Sequence, residues 1–506
     1  MPTNLSLKRT VLKNASANLA RLAASGIVAL LLPPFLVRML PTATFSTWAL
    51  VLQVTAYLGF LDFGIQTAVA RFVAHADELN EPEQRDGIVS SAFVLLALAS
   101  AIGLLAVGVL AWQFPHIFRA MPVSLHRDAK IALLLVGVSS AVGLPISVMN
   151  AIFIGQQRNK IPVAILIASK VTMAALLAVV VFKHHGLIAM GAAVALTNVF
   201  SYAGSYLAWR VWSPHVSISV ALASKAYAKQ IAGYSASLGV WYLGMVMVSG
   251  LDLLIVGMFD YVAVAFYAVA VTLTNFVVQL QSAIFAAVLP ASAVLHARGD
   301  SQRLGTMLVS STRYGMLVLL GMALPFIVAG RFILGVWVGN NYAVRSVSIM
   351  HVLVVANAVR LSFLPYATLL LGVGEQRKVV LSPLAEGVTN LLASILGAHL
   401  WGAIGVAIGT LIGAFVSVAF HILYNIPRTT AIAVDRSLLV KVGLLRPLLC
   451  AAPFGLLLAV PFVQGHVQTQ VLPLFLSVAL IGTIYLLWNF GLVHSERRKL
   501  INVLHI

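Results

Sequence analysis

Residues 88–112 read IVSSAFVLLALASAIGLLAVGVLAW, a run with no charged side chain. A helix rises ~1.5 Å per residue, so ~20 such residues cross ~30 Å of hydrocarbon. The run is apolar throughout and not alternating, which selects a membrane helix over a barrel strand. Working outward, comparable runs occupy 17–40, 45–73, 129–154, 161–183, 186–210, 233–257, 262–289, 305–330, 346–373, 379–399, 402–426, 441–463 and 470–492. The expected fold is therefore all-α and integral to the membrane, with about fourteen transmembrane helices. Composition agrees: 61% of the residues are hydrophobic and 9% charged, against roughly a quarter charged in soluble domains. The loops are too short to house a catalytic domain.

The charges give the orientation. The chain carries 32 Lys+Arg against 14 Asp+Glu, a formal charge of +18. With the N-terminus inside, about 22 basic residues fall on the inner side and about 7 on the outer side, as the positive-inside rule requires. An even number of spans then places both termini in the cytoplasm. Because these residues sit in short loops, they read as topology signals and contacts to anionic membrane lipid, not as a nucleic-acid surface. Lys8, Arg9 and Lys13 precede an apolar run that contains Arg21 and Pro33-Pro34, which reads as a retained first helix and not a cleaved signal. Cys450 is the single cysteine, which excludes an intrachain disulfide. His184-His185 has no acidic or thiol neighbour, so no metal site is expected.

A repeat organises the chain. Pro145 precedes Gly155-Gln156-Gln157-Arg158, and Pro365 precedes Gly374-Glu375-Gln376-Arg377. Each loop is followed by an apolar helix and then by a glycine-rich helix start, Gly186 with Gly191 and Gly402 with Gly405 and Gly409. The same offset sets Trp48 against Tyr267. Duplicated halves of six spans follow, with like orientation because six is even. The expected organisation is an N-terminal six-helix lobe at 1–212, a cytoplasmic linker at 213–232, and a C-terminal six-helix lobe at 233–430. Two extra helices and a basic tail fill 431–506.

Ionisable side chains in hydrocarbon are costly and tend to face a bundle interior or a watery cavity. Six occur within the expected spans: Arg21, Asp62, Lys170, Asp252, Arg360 and Glu386. Asn357 lies one turn before Arg360, and Asn390 one turn after Glu386, on the same helical faces. Lys170 and Glu386 each stand sixteen residues before a glycine-rich start, Gly186 or Gly402, so they occupy equivalent places with opposite charge. Arg21, Lys170, Arg360 and Asn357 are candidates for binding an anionic head group. Asp62, Asp252, Glu386 and Asn390 are candidates for balancing that charge or for taking up a coupling ion. Structural ion pairing is the competing use of all six charges. No Walker phosphate loop, dinucleotide fingerprint, zinc-protease motif or serine elbow occurs, so neither an enzyme nor a nucleotide-driven pump is expected.

Several stretches carry a resemblance. Gly59-Phe60-Leu61-Asp62-Phe63-Gly64 with Ala70-Arg71-Phe72 resembles the end of the second helix of bacterial O-antigen and exopolysaccharide flippases. Leu251-Asp252-Leu253-Leu254-Ile255-Val256-Gly257 with Phe266-Tyr267-Ala268-Val269-Ala270 is similar to that family's seventh-to-eighth helix junction. Leu371 to Arg377, Asn390 and Trp401-Gly402-Ala403-Ile404-Gly405 resemble its tenth-to-twelfth region. The chain departs from the pattern at Leu253, where members often carry a basic residue, and at Tyr234 to Ser237, where many carry a proline. The resemblance implies the fold of multidrug and toxic compound extruders, two lobes around a central cavity open alternately to each side. It implies a flippase of the bacterial inner membrane that moves undecaprenyl-pyrophosphate-linked oligosaccharide from the inner to the outer leaflet. It also implies coupling to H+ or Na+ without a cofactor, and partnership with a polysaccharide polymerase and chain-length proteins. A cation-coupled multidrug or metabolite antiporter, a lipid II flippase and a non-transporting scaffold are the alternatives.

Overall fold

The computed structural model describes residues 4–249, 251–286, 288–379, 381–459 and 482–487. The expected last span, 470–492, lies largely outside them. The described residues are helical almost throughout, and nine of their helices are long and apolar enough to cross a membrane. One of the nine, Leu381–Arg428, is broken at Gly402 and covers the expected spans 379–399 and 402–426. The chain divides into two compact units. The first comprises Met1–Thr272, Trp337–Gly339 and Leu391–Val406; the second comprises Leu273–Val336, Asn340–Asn390 and Ala407–Ile506.

The first unit holds α1 (Asn4–Met39), α2 (Thr42–Ala56), α3 (Ile65–Glu78), α4 (Pro82–Ile117), α5 (His126–Gly155), α6 (Lys160–Phe182), α7 (Leu187–Trp212), α8 (Lys225–Ser249) and α9 (Asp252–Phe259). The apolar run 88–112 forms most of α4, and its two faces differ in what covers them. Leu98, Ile102, Leu105, Val109 and Trp112 recur at four- and three-residue steps and are 59–73% exposed. Ala92, Leu96, Val107 and Phe114 on the other face are buried, where α4 packs along α5. An exposed apolar stripe of this length does not persist in water; it is the face that lipid covers. The expected span 45–73 is not one helix. A 3-10 turn at Tyr57–Asp62 and left-handed Phe63 and Gly64 separate α2 from α3.

The second unit begins within α10 (Val264–Phe285) and continues through α11 (Val288–Ala297), α12 (Ser301–Val338), α13 (Asn340–Leu361), α14 (Leu364–Val373) and the two ends of α15 (Leu381–Phe420), whose middle, Leu391–Val406, belongs to the first unit. In α12, Ala329 leaves helical geometry (φ −109, ψ 17), which marks a kink between two helical stretches. Phe363, Tyr366, Leu369 and Leu370 form the centre of its apolar core.

The repeat is visible in the lengths of the candidate spans. Thr42–Glu78 and Tyr261–Ala297 are both 37 residues long, and Pro82–Ile117 and Ser301–Val338 follow them at the same spacing. Equivalent loop residues also make equivalent bonds. Gln156 Oε1 accepts from Ser213 Oγ at 2.7 Å, and Arg158 donates to Trp212 O, tying this loop to the end of α7. Glu375, the counterpart of Gln156, accepts from Thr430 Oγ1 at 2.8 Å and from the Thr430 and Ala431 amides. Lys378 Nζ lies 2.5 Å from the same carboxylate. Burial alone would raise the Glu375 pKa, but the bonds from Lys378, Thr430 and Ala431 outweigh it and hold the group below its ordinary value. A depressed carboxylate stabilises above its unfolded pKa, and the contribution disappears as pH falls through the folded one. Glu375→Gln is expected to lower the melting temperature of the detergent-solubilised protein at neutral pH, by the loss of about 1 kcal/mol. The gap to wild type should close as pH falls through the carboxylate's folded pKa, which lies below its ordinary value. A gap that persists in acid would show that the carboxylate's charge is not what ties this loop.

The segment 213–224 is likewise bound in place. Arg85 donates to His215 O at 2.7 Å and pairs with Asp77 and Asp86. Ser219 and Ser224 amides donate to Ser90 and Ser91. The polar start of α4 thus satisfies a backbone strap that has no ladder of its own.

Candidate functional site

The sequence's candidate residues fall into one charged centre in each unit and two separate carboxylates. In the first unit, α1 packs against α6, and this contact brings Arg21 and Lys170 to the same cavity of about 590 Å³. The two are close enough to repel each other electrostatically. Lys170 is half-buried and Arg21 exposed. Gln66, Asn150, Asn198 and Ser201 line the same space, facing apolar side chains such as Leu166 and Met173. The amides are oriented from behind: Asn150 Oδ1 accepts from Ser205 at 3.2 Å, and Asn198 Nδ2 donates to Ser139 Oγ at 3.0 Å. Two like charges beside one cavity are unfavourable unless an anion neutralises them. The chemistry of this place is therefore a cationic end, an amide and hydroxyl wall, and an apolar flank.

Neither Asp62 nor Asp252 is among the residues lining that cavity. Asp62 closes the 3-10 turn between α2 and α3, and its Oδ1 accepts from the Gln66 amide at 3.2 Å. It therefore sets the position of a cavity residue. Asp252 opens α9, is 8% exposed, and accepts from Tyr267 Oη at 3.3 Å.

In the second unit, Arg360 ends α13 and donates to Asn357 Oδ1 one turn back. Asn357 in turn donates to Leu353 O at 2.9 Å. Glu386, on the first half of α15, is buried, hydrogen-bonds to Ser417 and feels the Arg360 charge. Asn390 is fully buried one turn on. The close approach that buries them depends on Gly413. A Cβ there would stand 2.9 Å from Asn390 Cβ and 3.1 Å from Glu386 O. Asn357 and Arg360 are thus bonded, Glu386 and Asn390 both border Gly413, and Arg360 and Glu386 lie within electrostatic reach of each other.

Sequence reasoning missed the neutral members: Gln66, Asn150 and Asn198 in the first unit, and Ser417, His421 and Asn425 in the second. The last three recur every four residues along one helix face, which was a usable signal. Among the described residues no group of three His, Cys, Asp or Glu side chains can hold a metal ion.

A family model described as "Polysaccharide biosynthesis protein" matches residues 11–296. The chain belongs to this family. No curated protein sequence matches it, but solved structures do. The lipid II flippase MurJ in an inward closed conformation matches with a TM-score of 0.69 and 12% identity, over 97% of this chain and 100% of that one. An inward-facing multidrug resistance MATE transporter of the MOP superfamily matches with a TM-score of 0.65 and 15% identity, over 82% and 99%. A MOP superfamily transporter from Pyrococcus furiosus, described as having a binding pocket of reversed polarity, matches with a TM-score of 0.59 and 14% identity, over 83% and 95%. Identities this low establish the fold and no more. The family member described here has the helical fold of these MATE and MurJ structures and is a multi-pass membrane protein, with nine described helices long and apolar enough to cross a bilayer.

Proposed function

We propose that this polysaccharide biosynthesis family member flips a polyprenyl-pyrophosphate-linked oligosaccharide from the inner to the outer leaflet of the bacterial inner membrane. In this reading the six-helix lobes 1–212 and 233–430 alternate access, both termini lie in the cytoplasm, and a cation gradient drives the cycle. One observation carries it: Arg21 and Lys170 share a cavity with an amide and hydroxyl wall. A pyrophosphate supplies the negative charge the two cations require, by charge-assisted hydrogen bonds. Sugar hydroxyls suit Gln66, Asn150 and Asn198, which offer both donors and acceptors. The apolar flank suits the polyprenyl chain. Arg360, with Asn357, is assigned to the same anion at another stage of the cycle. Asp252, Glu386 and Asn390 are assigned to charge balance or ion coupling, and Asp62 to positioning Gln66. A drug antiporter selects cations and is poorly served by a cationic cavity. A polymerase and chain-length proteins are the proposed partners of the export step.

Arg21→Gln with Lys170→Gln is expected to reduce surface polysaccharide at least about tenfold, since each lost charge-assisted contact is worth about 1.5–3 kcal/mol. The assay compares surface polymer with the amount of full-length protein in the membrane fraction. Normal polymer from the double variant would remove the head-group assignment.

A further inference from the structure

We propose that His421, held by Asn425 and Ser382, is a proton-exchange site that serves Glu386, so that the ion bound in the second unit is H+. The inference rests on the transporter reading above and names its coupling ion and route.

The residues are arranged by a four-residue period. Ser417, His421, Asn425 and Thr429 fall on one face of the last part of the Leu381–Arg428 helix, and Ser382 and Glu386 on one face of its first part. The two faces meet. Asn425 Nδ2 donates to Ser382 Oγ at 2.7 Å, and Glu386 bonds to Ser417. Between them the backbone widens into a π-helix at His421–Asn425, a rare conformation that appears mostly as single-turn bulges at functional sites.

Asn425 is the informative side chain. It is fully buried. Its Nδ2 stands 2.9 Å from His421 Nδ1, so the neutral ring accepts there and carries its hydrogen on Nε2. Its Oδ1, however, is buried with no hydrogen-bond partner among the described residues. A buried amide oxygen without a donor is costly and calls for an explanation. Protonating His421 supplies one. The imidazolium carries N–H on both nitrogens. Turning the Asn425 amide about its Cβ–Cγ bond then sets Oδ1 where Nδ2 stood. There it accepts from the Nδ1–H of His421 and from the Ser382 hydroxyl, which can donate as well as accept. The orphan oxygen is satisfied once the ring bears a hydrogen on Nδ1, as the imidazolium always does.

The surroundings suit a ring that changes charge. Phe363 stacks on His421 with centroids 5.2 Å apart and planes at 13°, and Tyr366 meets it edge-on at 5.5 Å. Aromatic faces attract a cation. Tyr366 Oη bonds to Thr429 at 2.6 Å, and beyond it Thr430 is held by Glu375 and Lys378. One turn before His421, Ser417 bonds the Glu386 carboxylate, which feels the Arg360 charge from α13. Arg360 opposes a second cation nearby, so the proton is passed on and not kept. The imidazolium gives it to the Glu386 carboxylate, the ring returns to neutral, and the carboxyl becomes uncharged. Arg360 then loses its counter-charge and is released to bind the anionic substrate, which links proton uptake to substrate.

The test is charge displacement by purified full-length protein in sodium-free proteoliposomes on a solid-supported membrane, triggered by a step of one pH unit. His421→Phe preserves the stacking on Phe363 and Tyr366 but carries no proton, and His421→Gln provides a second variant should the first be unstable. Both are expected to cut the rate of charge movement at least roughly tenfold, the scale of a lost proton-transfer group. Glu386→Gln is expected to abolish it. A sodium step at constant pH should move no charge. Wild-type charge movement in His421→Phe overturns the proposal and leaves the ring a packing role. A sodium-driven signal that Glu386→Gln removes overturns it in favour of Na+. Failure of the substrate reading looks different, because normal polymer in the Arg21 and Lys170 double variant would leave these currents intact.

Discussion

Arg360→Ala is expected to abolish surface polysaccharide while the protein still accumulates in the membrane, and combining Arg360→Gln with Glu386→Gln is not expected to restore it. The argument turns on what each change removes. Arg360 is half-buried at the end of α13, bonded to Asn357 and facing the buried carboxylate of Glu386. Deleting one member of a buried charge pair leaves the other uncompensated, which typically costs about 3–5 kcal/mol. Neutralising both members together relieves that cost, and buried pairs replaced by neutral groups are often close to neutral in stability. If the pair only holds α13 against α15, the single variant fails and the double variant recovers. If Arg360 binds the substrate anion, the double variant folds and still exports nothing. The measurement is surface polymer set against membrane-inserted protein for Arg360→Ala, Glu386→Gln and the double variant, read as a cycle. Recovered export in the double variant would reduce both residues to structural partners.

How far the chain could be read before its structure follows from the energies involved. The run 88–112 announced a membrane helix because a charge at mid-bilayer costs several kcal/mol, ~2.5–3.5 on insertion scales. Its lipid face was then implicit in the sequence, and Leu98 to Trp112 occupy it. The repeat was legible because loop chemistry is specific: Gln156 and Glu375 stand at matching places and each ties its loop to the end of a following helix. The Asn357–Arg360 bond was legible because helical spacing is local. Other features were not. The break between α2 and α3 hides in the run 45–73 because Tyr57 to Asp62 differ little in hydropathy from their neighbours. Gln66, Asn150 and Asn198 escaped notice because neutral amides inside a membrane are cheap beside charges and often serve only to join helices. The bond between Asp252 and Tyr267 spans a turn between two helices, so no periodicity within one helix predicts it. His421 was overlooked although its four-residue companions were in plain view, since a single titratable residue in an apolar run more often packs than titrates.

Gly405→Val is expected to prevent accumulation of folded protein altogether, a larger effect than any change at the charged centres. The glycine-rich start Gly402, Gly405 and Gly409 marks the repeat in the sequence, and the geometry at the break in α15 gives its physical reason. Gly402 adopts φ 59 and ψ −140, a region accessible in practice only to glycine. This lets the chain fold back so that Gly397 and Gly405 pass each other backbone to backbone. A Cβ on Gly405 would stand 1.9 Å from Gly397 O, and one on Gly397 would stand 2.3 Å from Gly405 O. Both obstacles are backbone atoms, which cannot rotate away as a side-chain tip can. Valine adds two further methyls at the same point, so the two halves of α15 must separate, and overpacking of this kind costs more than the usual ~1–3 kcal/mol when nothing can yield. Gly402→Ala leaves more room, with Asp260 Oδ2 at 3.1 Å as its nearest neighbour, but it meets the backbone strain instead, of order 1–3 kcal/mol. The expected order of membrane-inserted, monodisperse protein is therefore wild type, then Gly402→Ala, then Gly405→Val. Wild-type yield of Gly405→Val by size-exclusion chromatography would mean that the halves of α15 do not cross at this pair, and the packing around Gly402 would have to be redrawn.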